Sequence, residues 1–357
     1  MTTFWRRALA VGAGLICLLL GSAAPAQAHA VHVGVDPSNW RSTIGGVQPA
    51  AKNLRVSLGD GAQRLSVSVT GATQVEVLGY DGEPFLRLSG DGAWLNERST
   101  TTWSVAGARV LPASGLSERA APRWKKVSDT GTWRWHDART HWPGYAPPPP
   151  VQEHPDQRQQ VGVWTLPILV AGHPGAITGR IDWIPGPNPA PGTVFLLVPL
   201  LALIGAGFVP FWRLAAVAAL LLVAAADVVH AVGLVDGRVG SAWTRLAALP
   251  GHGAVSVLLW AAMATCAIGI ARRRHVTASV YGAAMLAAVI FLSDGVPSVA
   301  LVWRSQGITG LPIGVDRYLV AALTGSSLGL LVAAILLIRR LDRRPPAPPP
   351  LRTAPTT

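Results

Sequence analysis

The first residues that could do chemistry are two histidines near the start of the chain, His29 and His32. They follow Ala26-Gln27-Ala28, a spacing of small residues at which signal peptides are cleaved. Cleavage after Ala28 would leave His29 with a free α-amine beside its imidazole, and His32 lies close enough to assist. Nitrogen ligands of this kind suit Cu(II) once they are deprotonated. A second acceptable cleavage site, Ala28-His29-Ala30, would remove His29, and the histidines would then be an accident of the junction.

A second group of acids and histidines lies within or beside long apolar segments. Asp227 and His230 are three residues apart, so they share one face of a predicted helix. Asp294 lies at a similar depth in another apolar segment, and His252 precedes a third. Charged groups in lipid are costly and usually face a bundle interior or a polar cavity. These four residues therefore predict a cation or proton site in the outer half of the membrane, or else a buried pair, such as His230 with Asp294, that fixes helix packing.

The third candidate is a tryptophan-rich segment that contains His136, Asp137, Arg139 and His141. On an extended strand Asp137, Arg139 and His141 would share one face, because side chains alternate along a strand. A carboxylate, a guanidinium and an imidazole side by side could bind a metal or an anion. The alternative is an ion pair that locks a loop, with the arginine stacked on a buried tryptophan. The tryptophans of this segment are Trp133, Trp135 and Trp142.

Two kinds of structure must position these groups, and the first is an exported β domain. Residues 1–28 have the charged start, the apolar stretch and the cleavage site of a signal peptide. Residues 29–191 contain short alternating segments separated by Gly and Asp, which predict an all-β, sandwich-like domain. The clearest of these segments are Leu54–Leu58, Leu65–Val69 and Gln74–Leu78.

The end of the β domain has two further signals. Val161–Val170 and Ala176–Trp183 flank the turn Gly172-His173-Pro174-Gly175 and predict a hairpin. The proline run Pro147–Pro150 cannot donate backbone hydrogen bonds and is predicted to be extended.

The second kind of structure is a transmembrane helical bundle over residues 192–338. Apolar runs of about the 20 residues that cross a bilayer predict five spans. Arginine clusters at 272–274 and 339–344 lie between or after spans, and the positive-inside rule then places the β domain outside the cell membrane. Residues 339–357 are predicted to be a disordered cytoplasmic tail. The five runs are Val194–Trp212, Leu214–Val235, Gly253–Ala271, Val276–Trp303 and Tyr318–Ile338.

Three segments of the β domain support a family resemblance. The chain resembles a family of uncharacterised actinobacterial membrane proteins in Trp133-Arg134-Trp135-His136-Asp137-Ala138-Arg139-Thr140-His141-Trp142, in the preceding Pro122-Arg123-Trp124-Lys125-Lys126-Val127-Ser128-Asp129, and in Leu78-Gly79-Tyr80-Asp81-Gly82-Glu83-Pro84-Phe85-Leu86-Arg87. The resemblance implies the same layout of an exported domain followed by helices, and it implies no established activity. Relatives have a histidine where this chain has Ala138. A looser likeness links the Ala28-His29-Ala30 start to periplasmic copper-binding proteins.

Composition limits the functions that these residues could serve. Half of the residues are hydrophobic and 13% are charged, which is the balance of a membrane protein. The net charge of +12 lies largely in clusters beside apolar runs, so nucleic acid is not an expected partner. No nucleotide-binding loop, nucleophile elbow or zinc-protease motif occurs, and enzymatic activity is unsupported. The leading hypothesis is a membrane protein that binds or hands over a transition metal such as copper. The alternatives are an envelope protein whose β domain docks a partner, and an unrecognised envelope enzyme.

Overall fold

A computed structural model describes residues 37–59, 64–105, 120–144, 146–234 and 254–342. The predicted signal peptide, His29, His32, His252 and the predicted tail after Asp342 lie outside the described residues.

Antiparallel β structure occupies the first part of the described chain. One sheet has the strand order β1-β10-β9-β4-β5-β6-β7, and a second sheet has the order β2-β3-β8. The strands in the described residues are β1 (Trp40–Gln48), β2 (Leu54–Gly59), β3 (Arg64–Val69), β4 (Val75–Leu78), β5 (Pro84–Ser89), β6 (Gly92–Asn96), β7 (Trp124–Ser128), β8 (Thr132–Trp135), β9 (Gln159–Val170) and β10 (His173–Trp183).

The two sheets share one hydrophobic core. Strand β4 has the alternation expected of a half-buried strand, because Val75 and Val77 are buried while Glu76 is partly exposed. Buried side chains of β3 and β8 join those of β5, β9 and β10 in the same cluster. The ring of Trp135 packs edge-on against Phe85, with 5.7 Å between the ring centroids. The segments predicted around residues 54–58, 65–69 and 74–78 are confirmed as strands.

The predicted hairpin is confirmed as β9 and β10, with a shorter turn than expected. Residues Ala171 and Gly172 both have positive φ, at 48° and 81°, as the two central residues of a type I′ turn require. His173 and Pro174 are already paired with Val170 and Leu169, so they belong to the strand.

Two short helices flank the strands. Helix α1 (Thr100–Val105) follows β6, and helix α2 (Pro149–Glu153) precedes β9. The expectation that the whole run Pro147–Pro150 is extended is wrong, because Pro149 and Pro150 begin α2. Proline is tolerated in the first turn of a helix, where its missing N–H would have no helical partner.

Helices occupy the rest of the described chain, and four of them are long and apolar enough to cross a membrane. Helix α5 is apolar over Ser256–Ala271, a shorter segment than the other four. Exposed Leu201, Leu214 and Leu292 are consistent with contact with a lipid bilayer. The helices are α3 (Pro189–Ala206), α4 (Trp212–Leu234), α5 (Ala254–Ala271), α6 (Val276–Val302) and α7 (Ile313–Asp342).

The ends of two of these helices differ from the predicted spans. Helix α3 begins at Pro189, before Val194, because Asn188 caps it and prolines fit its first turn. Helix α7 begins at Ile313, before Tyr318, so that Asp316 lies in its first turn instead of in a connecting loop.

Small residues bring α3 and α7 into close contact. A Cβ atom added to Gly325 of α7 would overlap the carbonyl oxygen of Leu196 in α3. A Cβ atom added to Gly329, one turn further along, would lie 2.8 Å from the carbonyl oxygen of Leu200. Such a pair of glycines lets two helix backbones approach closely, which favours association where no hydrophobic effect operates between helices in lipid.

Candidate functional site

A buried histidine–carboxylate pair lies between two of the long helices. His230 of α4 and Asp316 of α7 are 2% and 1% exposed. The Nδ1 atom of His230 is 2.8 Å from Oδ1 of Asp316. An ionised carboxylate only accepts hydrogen bonds, so beside ionised Asp316 the Nδ1 atom is the donor. This contact fixes the orientation of the imidazole ring.

Two further carboxylates lie near this pair. Asp227, one turn before His230 on α4, is buried, and its Oδ2 atom accepts a 2.7 Å hydrogen bond from Nε1 of Trp260 in α5. Asp294 of α6 contacts the hydroxyl of Ser293 and interacts electrostatically with both Asp227 and His230. Asp316 is thus the direct partner of His230, while Asp227 and Asp294 lie near enough to act on its charge.

The helix around Asp294 is irregular. Residues Phe291–Gly295 form a turn of π-helix inside α6. The carbonyl oxygen of Gly295 accepts a 3.4 Å hydrogen bond from the hydroxyl of Thr324 in α7. Turns of π-helix within an α-helix occur frequently at functional sites. The geometry of Asp294 is thus set by a local departure from the regular helix.

The buried pair leaves polar atoms without partners. Within the described chain, Nε2 of His230 and Oδ2 of Asp316 are buried and form no hydrogen bond. A buried polar atom without a partner carries a desolvation cost of about 1–3 kcal/mol. A proton, a metal ion or a water molecule at Nε2 would remove that cost for His230.

The partner of His230 is Asp316, and the pairing of His230 with Asp294 that the sequence suggested is not observed. Asp316 lies outside the predicted run Tyr318–Ile338, so the sequence alone places it in the preceding loop. A signal was nevertheless present in the spacing of Asp316, Thr324 and Ser327, which fall on one helix face when α7 starts at Ile313. All three of these side chains are buried.

The ligands available for a metal are few in the described residues. Among them, no group of three or more His, Cys, Asp or Glu side chains is placed to hold a metal ion. His29, His32 and His252 lie outside the described chain. The described part of the site therefore offers one imidazole nitrogen as a metal ligand, and the carboxylates of Asp227 and Asp294 interact electrostatically with that imidazole.

The second candidate, in the β domain, is organised around a buried ion pair. Asp137 is fully buried, and both of its oxygens accept hydrogen bonds from the guanidinium of Arg139, at 2.9 and 2.8 Å. Nε1 of Trp135 donates to the same carboxylate at 2.9 Å. Arg139 also donates to the carbonyl oxygens of Leu78 and Gly79 in the β4–β5 turn. The ion pair therefore joins the segment after β8 to the β4–β5 turn.

Tyr80 strengthens the same connection. The guanidinium of Arg139 lies over the Tyr80 ring, 4.8 Å from its centroid, and the Tyr80 hydroxyl accepts a 3.0 Å hydrogen bond from the backbone of Ala138. Two of the segments on which the family resemblance rests are thus in direct contact. The side chain of Ala138 is exposed, so this position supplies no group to the ion pair.

The expectation that residues 136–141 form an extended strand is wrong. Strand β8 ends at Trp135, and Ala138–Thr140 form a turn of 3-10 helix that Asp137 caps. This turn separates His141 from the face shared by Asp137 and Arg139. His141 instead stacks on His136, with ring centroids 4.7 Å apart and planes 10° from parallel.

The electrostatics of the ion pair keep Asp137 ionised. Burial by itself would raise the pKa of Asp137, but the hydrogen bonds and charge of Arg139 and the bond from Trp135 outweigh it, and the pKa lies below its ordinary value. Burial raises the pKa of the Tyr80 hydroxyl. These features describe a group that stabilises the fold of the domain.

Comparisons with models of protein families, with curated protein sequences and with solved structures found no match. The resemblance to actinobacterial membrane proteins therefore stays a prediction from the quoted segments.

Proposed function

We propose that this protein is a multi-pass membrane protein that binds a cation at His230, and that the cation is a transition metal such as copper. In this proposal the bundle crosses the cell membrane five times, because α5 crosses it in addition to the four longer helices. The sandwich-like β domain lies outside, and the arginine clusters after α5 and at the end of α7 lie inside.

The observation that carries the proposal is the state of the His230 ring. Its Nδ1 atom is held by Asp316, while its buried Nε2 atom has no hydrogen-bond partner. A histidine that binds a metal usually donates its other ring N–H to a carboxylate, which fixes the tautomer and makes the binding nitrogen more basic. Asp316 fits that role, and it leaves the lone pair of Nε2 free for a cation.

The surrounding charges favour a cation over a neutral ligand. Asp227 and Asp294 both interact electrostatically with His230, and the site contains more carboxylates than imidazoles. Ionisable residues inside a membrane commonly mark ion or proton pathways. Imidazole suits copper among the transition metals, and we propose that His252 supplies a second imidazole while Asp227 and Asp294 contribute negative charge near the ion. His29 and His32 would capture the ion before it enters the bundle.

The test is metal loading of the full-length, natively processed protein in detergent. The protein is stripped with a chelator, loaded with Cu(II), dialysed, and measured for copper content and for nitrogen coupling by EPR. Three variants are compared: His29→Ala removes the N-terminal ligand, His230→Gln removes the membrane ligand, and His173→Gln removes an exposed histidine at the start of β10 as a control.

The outcomes separate the sites. Loss of stoichiometric copper from His230→Gln, with copper retained by the other two variants, supports a membrane site. Loss only from His29→Ala would restrict metal binding to the N-terminus and overturn the role of His230. Equal copper in all variants and in the wild type would overturn both.

A further inference from the structure

The connection between α6 and α7, residues 303–312, is held on one side by the β domain. Ser38 and Gln306 exchange two backbone hydrogen bonds of 2.9 and 2.8 Å. Oδ1 of Asn39 accepts a 2.9 Å hydrogen bond from the backbone of Ser305, whose hydroxyl donates to the carbonyl oxygen of Ile184 at 2.8 Å. Asn39 and Ser305 are both 7% exposed, so water competes little for these bonds. The connection therefore follows the position of the β domain.

The same connection is held on its other side by Arg317 of α7. Its Nε atom donates to the carbonyl oxygen of Leu301 at 2.9 Å, and its Nη2 atom donates to that of Arg304 at 3.1 Å. The carbonyl of Leu301 belongs to the C-terminal end of α6, where a helix leaves acceptors without internal partners, and that of Arg304 belongs to the connection. Arg317 is 9% exposed, and its two hydrogen bonds join the first turns of α7 to the end of α6 and to the connection.

Arg317 is adjacent to Asp316, which holds His230. The connection also contacts the helix that carries His230, because the backbone N–H of Gly310 donates to the carbonyl oxygen of Gly233 at 2.6 Å. Gly233 lies almost one turn after His230 on α4. Both members of the histidine–carboxylate pair are thus tied to the connection on which the β domain rests.

We propose that Asn39 and Arg317 are positioning residues for the cation site. Through these two residues, contact of the β domain with the α6–α7 connection sets the geometry of Asp316 and therefore that of His230. This inference rests on the proposed function of His230. If the connection loosens, Asp316 no longer fixes the imidazole tautomer, and Nε2 is no longer held ready for a cation. Loss of a residue that orients a metal-binding histidine typically lowers metal affinity by about 10-fold to 100-fold.

The experiment compares variants that loosen the connection from either side. Asn39→Ala removes the acceptor for Ser305, and Asn39→Asp keeps an oxygen in that place as the conservative rescue. Arg317→Ala removes the hydrogen bonds to the carbonyl oxygens of Leu301 and Arg304. Ser68→Ala is the matched control, because it deletes a 2.7 Å side-chain hydrogen bond to Thr132 in the same domain, far along the sequence from the connection.

Two readouts on the full-length protein in detergent separate the inference from the proposed function. The first is the Cu(II) dissociation constant. The second is the pair of ¹⁵N chemical shifts of the His230 ring in histidine-labelled protein without metal, assigned with His230→Gln. These shifts report the tautomer whether or not the wild type binds copper.

We expect Asn39→Ala and Arg317→Ala to weaken copper binding by about 10-fold to 100-fold and to move the His230 shifts toward a mixture of tautomers. Asn39→Asp and Ser68→Ala should match the wild type in both. If the wild type binds no copper but the shifts still move, the proposed function fails and the positioning role stands. Unchanged shifts in Arg317→Ala and in Asn39→Ala would overturn the positioning role. If Asn39→Ala fails to fold, the shifts of Arg317→Ala alone test that role.

Discussion

Replacing Arg139 with alanine should destabilise the β domain by about 3 kcal/mol, the lower end of the cost of breaking a buried ion pair. The substitution removes the two guanidinium hydrogen bonds to Asp137 and leaves those from Trp135 and the backbone of residue 139. Asp137 would then be a buried carboxylate without a counter-charge. The lower end of the range applies because the Arg139 side chain is 20% exposed and water partly replaces it.

Hydrogen exchange measured by mass spectrometry gives this free energy within the intact protein. A change of about 3 kcal/mol corresponds to roughly 100-fold faster exchange of the protected amides in β8 and in the β4–β5 turn, since each 1.4 kcal/mol is tenfold. Arg139→Lys should have an intermediate effect, because lysine keeps the charge but lacks the planar fork.

The control is Arg55→Ala, which removes an exposed arginine from β2 and should change stability by less than about 0.5 kcal/mol. Exchange in Arg139→Ala that matches Arg55→Ala would refute the view that this ion pair holds the two segments together.

Three further predictions follow from the fold. The pKa of Asp137 and that of Glu83 lie below their ordinary values, since hydrogen bonds outweigh the opposing effect of burial. The stability that these two carboxylates contribute is therefore complete above the ordinary carboxyl pKa and is lost as the pH falls through their lowered folded-state pKa. Hydrogen exchange of the β4–β5 turn, measured at decreasing pH, should show this loss. Gly325→Leu should separate α3 from α7, destabilise the protein by at least about 1–3 kcal/mol and reduce the amount of folded protein in the membrane. Gly205→Leu should have neither effect, because Gly205 has open space around it. Gly172→Val should destabilise the β9–β10 hairpin by about 1–2 kcal/mol, as measured by hydrogen exchange, because φ of Gly172 is 81°. Gly162→Val in the same hairpin should have little effect.

The sequence predicted the strands well wherever only one face of the strand is buried. Val75 and Val77 alternate with Glu76, and that period of two is visible without a structure. The turn of 3-10 helix after β8 was missed, although Asp137 followed by Thr140 is a pattern that can cap such a turn. Tryptophan-rich segments hide this signal, because their aromatic residues favour a strand.

The candidate site was predicted only in part, because its members come from distant places in the chain. Asp227 and His230 were found through their helical spacing and their apolar surroundings. The contact between His230 and Asp316 joins residues that are 86 positions apart, and no local pattern specifies such a pair. A helix that begins at Tyr318, as predicted, leaves Asp316 in a loop. The observed start at Ile313 makes Asp316 part of the bundle.

The pairing of the first described strand with the last gives the protein an order of assembly. Trp40 of β1 is opposite Trp183 of β10, so the seven-stranded sheet stays incomplete until nearly the whole β domain has been synthesised. Contacts between residues so far apart form slowly, because a long loop must close before they are made. The hydrogen bonds between Ser38 and Gln306 can form only later, after the first four of the long helices have left the ribosome. A chain that stopped at the end of α6 would therefore carry a finished sheet without the α6–α7 connection that the β domain contacts.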